Sequence, residues 1–198
     1  MRIGIDIDGV LTDIEKFQID YGSKFYYENY NKRVVEKDGY ETNEIFNTSE
    51  KNDDKFWLKY FLLYELKIKT RNFSSKIIKK IRKEKHEVYI ITARGNFLSK
   101  NKILYGLNKF IVKFWLFKNK IKYDKIIFTN DDKINEIKKY KIDVMIEDKP
   151  DNITKISRYI PVLCYDAEYN EQLNGRNIIR CYSWYDIYSK IGTIDVLK

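Results

Sequence analysis

The sequence predicts an α/β fold: a parallel sheet covered by helices on both faces, with a small helical insertion after the first strand. Three observations predict it. Short apolar runs recur along the chain and alternate with stretches of helical spacing, the pattern of strand–helix–strand crossovers. Several of these runs end in polar or acidic clusters, which a parallel sheet would bring to one edge. The first two runs are about 80 residues apart, far more than a simple crossover needs, so extra structure stands between them.

The elements follow in order. In the strand at residues 2–7, Ile3, Ile5 and Ile7 alternate with Gly4 and Asp6, and Asp8 follows, so apolar side chains and carboxylates point to opposite faces. A strand this apolar belongs in a sheet interior, where unpaired carboxylates are expensive. Asp6 and Asp8 stand just before Gly9, which lets the chain turn, and together they ask for a cation. An oxygen-only pair at a strand's carboxyl end suits Mg²⁺. Residues 14–30 read as a helix with Ile14, Phe17, Tyr21 and Phe25 near one face. Residues 31–52 are polar and loop-like, and Phe56, Trp57, Tyr60, Phe61 and Tyr64 mark a second, aromatic helix. The expected division is therefore a core of residues 1–13 and 73–198 and a helical cap of residues 14–72, placed to act as a lid.

Beyond the cap, Phe73, Ile77, Ile78 and Ile81 show helical spacing ahead of a strand at 87–92. Leu104, Leu107, Ile111 and Phe114 show it again ahead of a strand at 125–129. A short helix carrying Ile134, Ile137 and Lys138 follows Asn130-Asp131-Asp132, whose side chains suit an N-cap. Strands at 143–147 and 160–165 and a weaker one at 177–181 complete the sheet.

With 198 residues, 43% of them hydrophobic, and 17 Tyr and 11 Phe, the chain can bury a sizeable core and is not disordered. No apolar run approaches a membrane span. The N-terminus enters the acidic strand at once, so no leader is expected, and Cys164 and Cys181 make no metal or redox spacing. Reduced thiols and a cytoplasmic location are the expectation. The net charge is +9, and residues 61–125 hold 18 Lys/Arg against 4 Asp/Glu. That block could steer a phosphate-bearing substrate. Because lysine is abundant throughout, solvated helix faces explain most of it, and nucleic acid is not the expected partner.

Four strand ends carry the chemistry: Asp6-Ile7-Asp8-Gly9-Val10, Thr92-Ala93-Arg94-Gly95, Asn130-Asp131-Asp132-Lys133 and Glu147-Asp148-Lys149-Pro150. In this order and context they resemble the four motifs of the haloacid dehalogenase superfamily of phosphohydrolases, over about residues 2–150. The resemblance implies a Rossmann-like parallel sheet. It implies Asp6 as the nucleophile that becomes an aspartyl-phosphate and Asp8 as general acid, then base. Thr92 would bond the transferring phosphoryl group, Lys133 would orient and neutralise it, and Asp6, Asp8 and Asp148 would hold Mg²⁺. Glu147 departs from the usual Asp-Asp pair and is assigned an outer-sphere place. Backbone donors near Gly9 and Ala93 could hold phosphate oxygens, and Arg94 either touches phosphate or lies at the surface. The chemistry is coherent in itself, since a carboxylate attacking a phosphate dianion needs a metal and a lysine to offset repulsion. Thr92 could instead cap the next helix, Lys125 or Lys138 could replace Lys133, and His86, the only histidine, reads as a satisfied surface residue.

The position of the cap and the Ile91-Thr92-Ala93-Arg94 run are similar to the 5′(3′)-deoxyribonucleotidase-like group and bacterial nucleotidases. Softer likenesses are Tyr165-Asp166-Ala167-Glu168-Tyr169-Asn170 and Arg180-Cys181-Tyr182-Ser183-Trp184. The resemblance implies a small phosphorylated substrate, a nucleoside monophosphate, with cap aromatics stacking on the base. Phe17, Tyr21, Phe46, Phe56 and Trp57 are the candidates, and each could instead be cap core. Small sugar phosphates and nucleic-acid 3′-phosphate ends are alternative substrates, and a phosphate-binding protein without turnover is the non-enzyme alternative.

Overall fold

The computed structural model describes residues 1–94, 102–129 and 132–196. Six strands, β1 (Arg2–Ile5), β2 (Glu87–Thr92), β3 (Lys125–Phe128), β4 (Val144–Glu147), β5 (Val162–Tyr165) and β6 (Ile178–Cys181), form one sheet. Its order is β3-β2-β1-β4-β5-β6, and every neighbouring pair is parallel. The chain moves outward from β1 to one edge and then returns to fill the other side. The strand order therefore reverses between β1 and β4, the crevice where open α/β sheets bind ligands.

Alternation builds a core on each face. Ile3, Ile5, Val88, Ile90, Val144 and Ile146 point to one side, packing with α4 (Ser74–Lys83), α5 (Lys102–Lys118) and α8 (Trp184–Val196). Tyr89, Ile91 and Met145 point to the other, under α6 (Ile134–Tyr140) and α7 (Pro150–Ile156). Gly4 faces that second side, where a Cβ would stand 2.5 Å from the Met145 sulfur, so the central strand needs its glycine.

Between β1 and β2 lie α1 (Ile14–Tyr30), α2 (Thr42–Ile45) and α3 (Glu50–Lys67). They share a separate, mostly aromatic core of Phe17, Phe25, Tyr26, Phe46, Phe56, Tyr60 and Tyr64 with Ile14 and Ile45. The Asp13 side chain accepts the Lys16 amide to start α1, and Asn31, at φ 50°, ends it. The two connections to the sheet are tied together by an antiparallel bridge between Thr12 and Thr70 and by the Arg71 amide bonding to Leu11 O at 2.7 Å.

Several local expectations change. β1 ends at Ile5, and one further ladder bond runs from the Asp6 amide to Ile146 O at 3.1 Å before the chain turns. The polar segment 31–52 contains α2, because Glu44 reaches back to the amides of Tyr40 and Glu41 and fixes a helical turn. Phe73 lies outside α4, at φ 66° and 59% exposed, while Ile77, Ile78 and Ile81 are buried. The largest departure is on α5, where Val112, Trp115 and Leu116 face the sheet and Leu107 and Phe114 face solvent. The α6 helix begins with the Asp132 carboxylate accepting the Ile134 amide at 3.0 Å. Asn130, Asp131 and Gly95 lie outside the described residues, as does the side chain of Leu104.

Candidate active site

At the β1–β4 switch point the ends of four strands converge. Asp6 leaves β1 beside the last residues of β4, and carboxylate oxygens of Asp6, Glu147 and Asp148 lie within 4.8 Å of one another. Lys133, just before α6, enters this cluster from the β3 side. Its ammonium stands 2.8 Å from Asp6 Oδ1 and donates to Glu147 Oε2 at 2.7 Å. The contact with Asp6 is an ion pair without hydrogen-bond alignment, so Asp6 Oδ1 retains acceptor capacity. The rival lysines are elsewhere: Lys125 lies over the Tyr140 ring and Lys138 over the Tyr159 ring.

The three carboxylates are not equivalent. Glu147 Oε1 accepts the amides of Asp148 and Lys149, and its Oε2 accepts from Lys133 and, at 3.4 Å, Asn152. That carboxylate is saturated by protein donors. Asp148 Oδ2 accepts from Tyr169 at 2.5 Å, whereas its Oδ1 is buried with no hydrogen-bond partner among the described residues. A buried, unpaired carboxylate oxygen beside a second carboxylate is costly unless a cation completes it. Burial pushes the Asp6 carboxyl up to about 7 despite the opposing charge of Lys133, and burial pushes Asp148 well above the ordinary range, reinforced by Glu147 and Asp6. One lysine does not balance three buried carboxylates. Asp6 and Asp148, hard oxygen donors with free capacity, fit a hard divalent cation.

Gly9 is required by this packing. Its φ is +79°, and a Cβ there would lie 1.8 Å from Asp148 Oδ2. Asp8, in contrast, turns its carboxylate out of the cluster: Tyr64 donates to Asp8 Oδ1 at 2.7 Å, and Arg94 Nη1 stands 3.5 Å away. The Thr92 hydroxyl accepts the Arg94 amide at 3.0 Å and is fully buried. Ala93 follows it, half-buried, in the same turn.

Arg94 corrects an expectation. It is not at the surface but 6% exposed, donating to Glu65 Oε2 at 3.0 Å and to Tyr64 O at 3.2 Å, between the Tyr64 and Trp115 rings. Its partners lie on α3, so it fastens the insertion to the sheet next to Asp8. Of the expected base contacts, Phe46 and Phe56 are fully buried inside the insertion, Phe46 stacking on Tyr26 at 4.6 Å. Phe17 and Trp57 are near parallel at 6.2 Å, each also touching Tyr64, and Tyr21 is 36% exposed beside Phe17. Phe17 and Tyr21 also line a cavity of about 740 Å³ at the junction of insertion and sheet, together with Arg71 and Tyr165. His86 is satisfied by the chain's amino terminus, 3.1 Å from its Nδ1.

Tyr64, Glu65, Tyr169 and Asn170 escaped sequence reasoning as site residues. Asn170 donates to Asp148 O and Tyr165 O, both at 2.9 Å, so the run from Tyr165 to Asn170 supports the Asp148 loop from behind. Its presence among the softer likenesses was the available signal. Nothing local in α3 distinguishes Tyr64 and Glu65 from its other aromatic and acidic residues.

Solved structures share this architecture. A crystal structure described as a predicted phosphatase from Clostridium acetobutylicum superposes with a TM-score of 0.59 at 16% identity, covering 97% of this chain and 98% of that one. A D,D-heptose 1,7-bisphosphate phosphatase from B. bronchiseptica, solved with magnesium and phosphate, gives 0.54 at 9% identity over 98% of this chain and 99% of its own. The architecture is thus the haloacid dehalogenase fold, with a carboxylate cluster and a lysine at its switch point. The particular family is shown by sequence: residues 1–196 match the family "5' nucleotidase, deoxy (Pyrimidine), cytosolic type C protein", and the chain belongs to it. A nucleotidase of Clostridium acetobutylicum is 28% identical over 201 aligned positions, covering 100% of this chain and 95% of the relative. The chain is a phosphomonoester hydrolase, which sets aside the non-enzyme alternative. Among the described residues no helix is long and apolar enough to cross a membrane.

Proposed function

We propose that the chain is a Mg²⁺-dependent 5′-nucleotidase that works through an aspartyl-phosphate on Asp6. The observation that carries the reading is Asp6 itself, held at the β1–β4 crevice between Lys133 and an acidic pair with an unpaired Asp148 oxygen. Asp6 and Asp148 would hold the metal; the Asp8 carboxylate is engaged by Tyr64, so any share Asp8 has in the metal site falls to its main chain. When bound, Mg²⁺ offsets the charge of the phosphate and keeps Asp6 ionised.

The chain's own groups account for the steps. Asp6 attacks phosphorus, the phosphorus–ester oxygen bond breaks, and Asp8 gives its proton to the leaving alkoxide. Asp8 then takes a proton from water as that water attacks the aspartyl-phosphate, releasing inorganic phosphate and free Asp6. Lys133 neutralises the phosphoryl oxygens. The Thr92 hydroxyl, accepting from Arg94, keeps its own proton to donate to one of them. Amides near Gly9 and Ala93 supply further donors.

A nucleoside monophosphate is the substrate class that the family and the insertion support. Phe17 and Tyr64 are buried in the core of the insertion, and the half-buried Trp57 packed on both, with Tyr64 in turn bonded to Asp8, is the aromatic side chain that offers a base a surface near the general acid. The helical insertion of residues 14–72 serves as the cap over the core of residues 1–13 and 73–198. The test is phosphate release from ribo- and deoxyribonucleoside monophosphates, sugar phosphates and 3′-phosphorylated oligonucleotides, with and without Mg²⁺. Preference for nucleoside monophosphates with Mg²⁺ is expected. Comparable rates on sugar phosphates would overturn the substrate reading, and an Asp6→Asn variant as active as wild type would overturn the mechanism.

A further inference from the structure

Two hollows outside the carboxylate cluster share the segment 70–73, which joins the insertion to α4. The first is the cavity of about 740 Å³ at the junction of insertion and sheet, with Phe17, Tyr21, Phe73, Tyr165 and Tyr182 in its walls. Its two carboxylates are already engaged, Asp13 by Arg71 at 3.3 Å and Asp20 by Lys16 at 3.4 Å. Lys67 and Lys69, also in its walls, have no carboxylate partner among the described residues. The second hollow is a groove of about 620 Å³ along α4, lined by Lys76, Lys79, Lys80 and Lys83 and by no acidic side chain. Asp6, Asp8, Thr92, Lys133 and Asp148 line neither.

The groove is built for an anion. Its lysines recur at helical spacing, so one face of α4 gathers four like charges that repel one another until a counter-charge arrives. The first turn of α4 carries no acidic residue and no capping side-chain bond, which keeps the partial positive charge of its amino end open. Ser74, which lines the groove, is 1% exposed, and its hydroxyl has no hydrogen-bond partner among the described residues. On the wall common to both hollows Phe73 stands at φ 66° and edge-on to Tyr185, with ring centroids 5.5 Å apart. A bulky residue holds a left-handed backbone at a cost, and here the cost keeps an aromatic ring between the cavity and the lysines. We propose that the joined hollows bind a polyphosphorylated nucleotide, its base in the aromatic cavity and its phosphates along the lysine groove. Aromatic faces take a base by stacking, and lysine ammonium groups take phosphate oxygens as point charges. From Lys76 to Lys83 the helix rises about 10 Å, a length that a chain of phosphates follows and a single phosphate does not.

The place of this site matters for the insertion. Arg71 lines both hollows and also donates to Gly9 O and Thr12 O. An occupant therefore packs on the side chain that ties the insertion to the sheet, and it does so without entering the carboxylate cluster.

The test is calorimetric titration of the full chain in EDTA, where the uncompensated carboxylates of the cluster repel a phosphate, with ATP, AMP, inorganic triphosphate and an oligoadenylate as probes. ATP is expected to bind at one site, about tenfold more tightly than AMP or inorganic triphosphate. Lys79→Glu/Lys83→Glu is expected to weaken ATP by about tenfold or more. The same charge change at two exposed lysines elsewhere, Lys51→Glu/Lys155→Glu, should have a much smaller effect. Tyr182→Ala, at a position 66% exposed, is expected to weaken ATP and to leave inorganic triphosphate unchanged, with circular dichroism unaltered. No binding of ATP, or equal losses in the two lysine pairs, would overturn the site. Inorganic triphosphate bound as tightly as ATP would overturn the place of the base, and an oligoadenylate bound more tightly than ATP would overturn a free nucleotide as the occupant.

Discussion

Asp148 and Gly9 show how little freedom the site leaves a single residue. The Gly9 backbone passes so close to the Asp148 carboxylate that Gly9→Ala combines a left-handed backbone with a direct overlap. The backbone alone costs about 1–2 kcal/mol. The expected total is above ~3 kcal/mol in urea unfolding, with weakened Mg²⁺ binding; a variant within experimental error of wild type would contradict the packing. The Asp6 and Asp148 carboxyls give a pH signature. Both are raised by burial, Asp6 to about 7 against 3.8 in an unfolded chain, so folding favours their protonated forms. That stabilisation is full below the unfolded value and is lost as pH rises through the folded value. Metal-free protein should therefore lose stability from pH ~5 to pH ~7.5, after other carboxylates have finished titrating. Mg²⁺ held as proposed would require the ionised pair, so its effect on Tm should be larger at the higher pH. Equal Mg²⁺ shifts at both would show that the pair does not hold the metal, and Asp148→Asn should abolish the shift.

At the scale of elements, α3 is the bridge between insertion and sheet. Arg94 and Glu65 form an ion pair with side chains 2% and 5% exposed, and Tyr64 from the same turn bonds Asp8. Removing one partner leaves a buried charge, so Arg94→Leu or Glu65→Leu should each cost about 3–5 kcal/mol. The double variant should cost clearly less than the sum, which a double-mutant cycle by urea unfolding would measure. Additive losses would mean the two charges do not rely on each other. Tyr64→Phe removes only the hydroxyl: kcat is expected to fall about tenfold, with a stability loss of about 1–2 kcal/mol. A change in KM alone would separate Tyr64 from proton transfer.

Over the whole molecule, Arg71 marks a junction between the insertion and the sheet. Arg71 Nε donates to Gly9 O and Thr12 O at 3.0 and 3.1 Å, its Nη1 pairs with Asp13, and its guanidinium lies over Tyr165. One side chain thereby ties both connections of the insertion to the Gly9 turn and to β5. Arg71→Ala is expected to cost about 2–4 kcal/mol and to speed proteolysis between α3 and α4. Unchanged cleavage there would show that the main-chain ties, the Thr12–Thr70 bridge and the Arg71 amide to Leu11 O, hold the junction without the side chain.

Strand–helix alternation, the long gap after β1 and the acidic strand ends made the parallel sheet, the insertion and the cluster of Asp6, Lys133, Glu147 and Asp148 legible in the sequence. Local periodicity and strand-end position carry that information, because in a parallel sheet the strands' carboxyl ends share one edge. The direction of a side chain at that edge is not local. Asp8 turns to Tyr64 and Arg94 is buried because α3, brought from elsewhere in the chain, supplies their partners. Glu147 is saturated because Lys133, brought in from ahead of α6, joins the local donors Asp148 N, Lys149 N and Asn152 of α7. On α5 apolar residues occur on both sides of the helix, so spacing defined the helix but not its inward face. Packing on the sheet decided that, by burying Trp115 and leaving three phenylalanines in water.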